Sequence, residues 1–169
     1  TKVIEQIAKK HKLWVIYDAA HCFGITYKGK SVFSYGDVST CSFHATKVFH
    51  TGEGGMICTD DDELKKLFVS FSWWGRDCYC IGSANLLSCG TCGNRFDKWL
   101  ENYDGVIDHK YVFSTMGYNL KPLDLQGAIG LEQLKKFDEI EEKRNKSKAE
   151  IQKIFTDNIQ GIRGVNTID

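Results

Sequence analysis

An α/β fold is predicted by the alternation of helical and extended patterns along the chain. Val3, Ile4, Ile7 and Ala8 recur at helical spacing before residue 12, the apolar run Leu13 to Tyr17 reads as a buried strand, and Leu64, Leu67 and Phe68 give a later segment one apolar face. A chain of 169 residues is long enough to bury a substantial core, and a hydrophobic share of 42% with 12% aromatic residues is that of an ordinary globular protein.

After the first helix, the run Leu13 to Tyr17 ends in Asp18, which places a carboxylate at the carboxyl end of a strand. Open α/β sheets bind ligands at that edge. Ile25-Thr26-Tyr27 followed by Lys28-Gly29-Lys30 predicts a strand and a hairpin turn, and a further strand is expected from about Val38 to Phe43. Beyond it comes a loop carrying Lys47, then a strand Met56-Ile57-Cys58. Thr59-Asp60 with Glu63 resembles the cap of the next helix. From Trp74 to about Tyr111 the pattern is irregular, a length that a compact domain tolerates where a metal or a function orders the segment. Asp124 is then expected to cap a helix carrying Leu125, Ala128, Ile129, Leu131 and Leu134, and a second, charged helix is expected from about Asp138 to Phe155. Pro122 precedes that cap, and the run Glu139 to Lys148 reads as a solvated face with opposite-charge pairs.

Lysine plus arginine and aspartate plus glutamate number 22 each, so no net field favours nucleic acid or an anionic membrane. No run is apolar enough to span a bilayer, and the first residues lack the parts of a signal peptide, which predicts a cytoplasmic protein. The chain opens inside a helical pattern without an initiator Met, and so reads as a piece of something longer.

Seven cysteines in such a chain point to reduced thiols or metal ligation. Cys22, Cys41 and Cys58 lie in apolar stretches and read as small buried hydrophobes. Cys78, Cys80, Cys89 and Cys92 crowd into one stretch rich in Gly, Ser and Asn, which suggests a metal or iron–sulfur site.

The chemistry concentrates around Lys47. Ser42-Phe43-His44-Ala45-Thr46-Lys47 is followed by Gly52-Glu53-Gly54-Gly55 and preceded by Asp18-Ala19-Ala20-His21. A lysine amine can form a Schiff base with the aldehyde of pyridoxal phosphate (PLP), and a carboxylate can hold the pyridine nitrogen protonated. These motifs, with Gly117-Tyr118-Asn119 and Gln126-Gly127-Ala128-Ile129-Gly130-Leu131, are similar to the DegT-like sugar aminotransferases. The resemblance covers nearly the whole chain, with the motifs in the family's order. It implies a fragment of the large PLP-binding domain of a fold-type I aminotransferase, an α/β/α sandwich acting on nucleotide-linked keto sugars. Residues 1–137 would then belong to that domain, with a cysteine-rich insertion at about 74–111, and 138–169 would lead into a small domain.

By the same resemblance Lys47 matches the Schiff-base lysine, Asp18 the partner of the pyridinium nitrogen, and His21 the residue beside the cofactor ring. Ser42 matches a hydroxyl on the cofactor phosphate, and Asn119 an amide reaching the phosphate in the neighbouring subunit of a homodimer. Glutamate is the implied amino donor. Trp74-Gly75-Arg76-Asp77-Cys78-Tyr79-Cys80, Cys92-Gly93-Asn94-Arg95-Phe96 and Asp108-His109-Lys110-Tyr111 resemble a narrower branch, the nucleotide-sugar 3-dehydrases. Those enzymes use the amine form of the cofactor, a [2Fe-2S] cluster on four cysteines and a reductase partner. Cys78, Cys80 and Cys92 match three of the cluster cysteines, the fourth position falls on Ala20, and Cys22 and Cys89 stand nearby. The dehydrases carry histidine where this chain has Lys47. The chain thus joins a transaminase-like loop to a dehydrase-like cysteine loop, and the lysine's direct chemistry favours transamination. A zinc site on the four clustered cysteines, in a module without catalysis, is the reading from another class.

Overall fold

The computed structural model describes residues 2–76, 78, 95–97 and 102–158. They fall into two compact units, one of Thr1–Cys58 with Pro122–Asp169 and one of Thr59–Lys121.

In the first unit, helix α1 (Lys2–His11) places Glu5 in its first turn and Lys9, Lys10 and His11 in its last, charges that complement the helix dipole. The chain leaves the helix through Lys12, at φ 55°, and enters strand β1 (Ile16–Asp18). The β2 (Thr26–Tyr27) and β3 (Lys30–Ser31) hairpin follows, with Thr26 opposite Ser31, as the sequence predicts. Strand β4 (Val38–Ser42) then runs parallel to β1, in the register Ile16 to Val38, Tyr17 to Ser39 and Asp18 to Thr40. Strand β5 (Gly55–Cys58) closes the other side of β4 antiparallel, so the sheet order is β1-β4-β5.

As the central strand, β4 buries residues on both faces: Val38 on one, Ser39 and Cys41 on the other. Ser39 is a polar residue in that core, and its hydroxyl donates to the Phe33 carbonyl at 3.1 Å. Asp37 fixes the start of the parallel pair, because its carboxylate accepts from Val15 N at 2.7 Å while its own N–H donates to Val15 O at 2.9 Å.

Helix α3 (Asp124–Asn158) is continuous where two helices were expected. The apolar stripe fades near Leu134, yet no Gly or Pro interrupts the charged stretch that follows, and Lys, Glu and Arg are good helix formers. Lys135 with Glu132 and Lys143 with Glu139 form ion pairs along it, each at 2.5 Å. Asp124 is the first helical residue rather than the cap. The side chain of Gln126 accepts from Leu123 N at 2.7 Å and satisfies that backbone group instead.

In the second unit, helix α2 (Asp62–Ser72) is capped one residue later than Thr59-Asp60 suggests. The Asp61 carboxylate accepts from Glu63 N at 2.8 Å and Leu64 N at 3.0 Å, and Thr59 braces Asp61 N. The end of α2 is laced to the segment 113–120: Tyr118 N donates to Phe71 O, Trp74 N to Tyr118 O and Leu120 N to Ser72 O, all within 2.9 Å. The Arg76 guanidinium lies over the rings of Trp73, Trp74, Tyr111 and Phe113 at 4.9–5.7 Å, so both tryptophans act in packing.

Gly75 is the tightest point of this lacing. It has φ +80°, a Cβ there would fall on the Thr115 carbonyl, and its own carbonyl accepts from Ser114 N and Thr115 N. Gly75→Ala is therefore expected to destabilise the second unit by more than about 2 kcal/mol. Loss of hydrogen-exchange protection at the Trp74 and Tyr118 amides measures this, and unchanged protection would refute it.

Candidate active site

Because β1 and β4 are parallel, both leave the sheet at the same edge, and Asp18 and Ser42 stand at their carboxyl ends. Ala19 N extends the ladder by donating to Thr40 O at 3.0 Å. The Asp18 carboxylate then accepts from Ala20 N at 3.1 Å, which turns the chain towards His21.

The loop after β4 is closed on itself at its base. Phe43 N donates to Gly54 O at 2.8 Å, Thr51 N to Phe43 O at 3.0 Å, and the Thr51 hydroxyl to Glu53 O at 2.7 Å. Lys47 sits at the tip, where its N–H donates to His44 O at 2.9 Å. The Ser42 hydroxyl accepts from His44 N at 3.3 Å. His44 Nδ1 accepts from Thr46 N at 3.3 Å, which leaves the proton on Nε2, turned to Glu53 at 3.7 Å. His44 thus ties the loop together.

A polar contact joins the two loops: Lys47 Nζ lies 2.8 Å from His21 Nε2. With Lys47 as an ammonium, which has donors and no lone pair, Nε2 of the imidazole is the acceptor. Sequence reasoning placed both residues in the site but missed this bond, because the two are 26 positions apart and only the parallel pairing brings them together. Beneath them, Phe23 stacks on Phe49 with ring centroids 4.2 Å apart and planes at 14°. The Phe43 ring meets Phe49 edge-on at 5.1 Å.

Cys41 is buried on β4, with Cys22 and Cys58 close enough to act on it electrostatically. Burial, then those two thiols, push its pKa up, which keeps the thiol protonated and inert at neutral pH. Cys41 is the small buried residue the sequence suggests, whereas Cys22 and Cys58 are only partly buried.

PLP carries an aldehyde, a basic ring nitrogen and a phosphate. An amine at Lys47, a carboxylate at Asp18 and a hydroxyl at Ser42, all at one sheet edge, are the donor types those groups need, and the residues fit the cofactor. Asn119 is exposed and belongs to the second unit, where it bridges Trp73.

Of the four clustered cysteines, Cys80, Cys89 and Cys92 lie outside the described residues. Cys78 is described, 4% exposed, and within electrostatic reach of Arg95. Among the described residues no group of three or more His, Cys, Asp or Glu could hold a metal ion. Arg95 and Asp108 form a two-pronged ion pair there, Nε to Oδ1 at 2.9 Å and Nη2 to Oδ2 at 2.7 Å. The expected Asp108-His109-Lys110-Tyr111 segment is a 3₁₀ turn, His109–Tyr111, capped by Asp108 and with His109 buried. Among the described residues no helix is long and apolar enough to cross a membrane.

The DegT/DnrJ/EryC1/StrS aminotransferase family matches residues 1–168. The lipopolysaccharide biosynthesis protein RfbH of Salmonella typhimurium is 43% identical over 141 residues, 83% of this chain and 31% of that protein. The dTDP-4-dehydro-2,6-dideoxy-D-glucose 3-dehydratase of Saccharopolyspora spinosa is 41% identical over 133 residues, 79% of this chain and 28% of that protein. Among solved structures, Helicobacter pylori PseC, an aminotransferase involved in the biosynthesis of pseudoaminic acid, superposes with a TM-score of 0.69 at 26% identity, over 94% of this chain and 35% of that one. The chain thus spans about a third of the length of these relatives.

Arg95 acts through its hydrogen bonds to hold the Asp108 carboxyl below the usual carboxylate range, against the opposing effect of burial. A lowered folded-state pKa gives stability that is present in full above the ordinary value, near pH 4, and is lost as pH falls through the lowered one. The urea midpoint of the second unit should therefore drop on acidification below about pH 4, and Asp108→Asn should flatten that drop while lowering the midpoint at neutral pH. An unchanged acid limb in the variant would show that the pair does not carry it.

Proposed function

Because the chain belongs to the DegT/DnrJ/EryC1/StrS aminotransferase family, we propose that it supplies the cofactor lysine of a PLP-dependent aminotransferase acting on a nucleotide-linked 4-keto-6-deoxyhexose, in the synthesis of cell-surface polysaccharide. The observation that carries this reading is the amine of Lys47, held 2.8 Å from His21 at the sheet edge that also bears Asp18. The likeness to RfbH and to PseC supports the sugar and polysaccharide setting.

Bound PLP supplies an electron-withdrawing ring that makes a proton on the adjacent substrate carbon removable. The chain's residues do the rest. The Lys47 amine would hold the cofactor through its aldehyde, and its Nζ would be the atom that moves that proton. Asp18 keeps the ring nitrogen charged, His21 lies beside the ring, and the Ser42 hydroxyl donates to the phosphate. Asn119 reaches the cofactor phosphate of the partner in a homodimer, and glutamate gives the amino group. Residues 1–137 form part of the cofactor domain, with a cysteine-rich insertion at about 74–111, and 138–169 lead into the small domain. The enzyme works in the cytoplasm.

A second reading has its own support in the 41% identity to a sugar 3-dehydratase and in Cys78, buried beside Arg95. In it Cys78, Cys80, Cys92 and Cys89 hold a [2Fe-2S] cluster fed by a reductase, and the cofactor works in its amine form.

An absorbance spectrum of the intact protein, purified without oxygen and loaded with PLP, separates the two. For the aminotransferase we expect a yellow band that borohydride bleaches, with the cofactor left on Lys47 and no iron. Lys47→Ala should remove the band and cut aminotransfer by at least ~10⁴-fold. About two irons per chain, with no lysine adduct, would replace this reading with the dehydratase.

A further inference from the structure

We propose that Phe137 of α3 is a positioning residue for Lys47, acting through the stacked Phe23–Phe49 pair to set the Lys47–His21 hydrogen bond; its link to catalysis rests on Lys47 being the cofactor lysine. Phe23 lies two residues after His21, and Phe49 two residues after Lys47. One stack, with centroids 4.2 Å apart, therefore anchors both loops just behind their functional side chains. Phe43 packs edge-on against both rings, at 5.9 Å from Phe23 and 5.1 Å from Phe49.

Phe137 closes this cluster from α3. Its ring meets Phe23 edge-on at 5.2 Å and 84°. Gly24 has φ +80°, and a Cβ there would come within 2.5 Å of Phe137 Cζ, so the helix presses against the loop as closely as the bare backbone permits. Closer to its start, α3 sets Gly130 against Thr51 and Phe49. The helix thus touches the His21 loop through Phe137 and the Lys47 loop through Gly130. A shift of the Phe137 ring frees Phe23 to tilt, and the stack carries the tilt to His21 and Lys47. Lysine has a flexible stem, and a hydrogen bond to a fixed imidazole is what selects one position for its amine.

The test is made on the intact protein with Phe137→Ala, Phe137→Tyr and, as a control on the same helix, Leu134→Ala, a half-exposed apolar residue outside the rings. Two readouts are followed: the ¹⁵N resonances of His21, which report an Nε2 acceptor bonded to the amine, and the rate at which PLP with borohydride labels Lys47, located by peptide mass spectrometry. We expect Phe137→Ala to lose the bonded Nε2 signature and to slow labelling by about tenfold, the scale on which a small misplacement acts. Phe137→Tyr, which keeps the ring, should restore both, and Leu134→Ala should alter neither. Unchanged resonances and rate in Phe137→Ala, or equal losses in Leu134→Ala, would overturn the proposal. If Lys47 of the unmodified protein takes no label, the cofactor reading falls, and the ¹⁵N comparison still decides the coupling.

Discussion

The parallel pairing of β1 with β4 is the constraint on which the site depends. An antiparallel pair would send the chain out at opposite ends of the sheet, whereas a parallel pair requires a crossover and brings both carboxyl ends to one edge. Residues 19–37 make that crossover, and Asp37 locks its return by bonding Val15 in both directions. His21 and Lys47 meet only because of this geometry. The antiparallel return of β5 adds the second half of the constraint. Its last rung, Ser42 to Gly55, fastens the Lys47 loop at both ends, so the loop is short of freedom where its lysine must be placed.

The polar and apolar parts of the site divide the labour. Asp18 and His21 are exposed and therefore available to a ligand, while Phe23, Phe43 and Phe137 are partly buried and Phe49 is only 5% exposed. Aromatic contacts of the kind seen among Phe23, Phe43, Phe49 and Phe137 contribute about 0.5–1.5 kcal/mol each beyond the area they bury. Against a net stability of order 5–15 kcal/mol for a domain, that cluster is a large local term.

Much of the fold was legible because its signals are local. The Lys28-Gly29 hairpin and the strand at Met56 announce themselves within a few residues and are present, while the buried strand expected from Leu13 to Tyr17 is confined to Ile16–Asp18 and leaves Leu13, Trp14 and Ile16 exposed. The misplaced features are those decided by competition between neighbours. Thr59, Asp60 and Asp61 can all cap a helix, and Asp61 wins because its carboxylate reaches two N–H groups while Thr59 braces it from behind. The break expected near Asp138 was read from a change in apolar pattern, but the pattern describes what a helix packs against, and the backbone continues wherever residues favour it. The candidate residues around Lys47 were legible as a motif. The Phe23–Phe49 stack was not, because it joins two loops that only tertiary structure makes neighbours.

The two chemistries the chain suggests differ in what they demand of the protein. Exchange of an amine for a ketone balances its electrons between the two substrates, so the protein has to hold the cofactor, keep its ring charged and move one proton. Lys47, Asp18 and Ser42 are the residue types for those tasks, and they occupy one sheet edge. Removal of a hydroxyl with net reduction needs two electrons from outside, hence a carrier and a partner to fill it; of the cysteines that would hold the carrier, Cys78 belongs to the second unit and the others lie outside the described residues. The second chemistry therefore needs an outside source of electrons, while the first draws on groups that one pair of strands brings to one edge. That difference in demand, together with a lysine at the loop tip, is what supports transamination as the proposed reading.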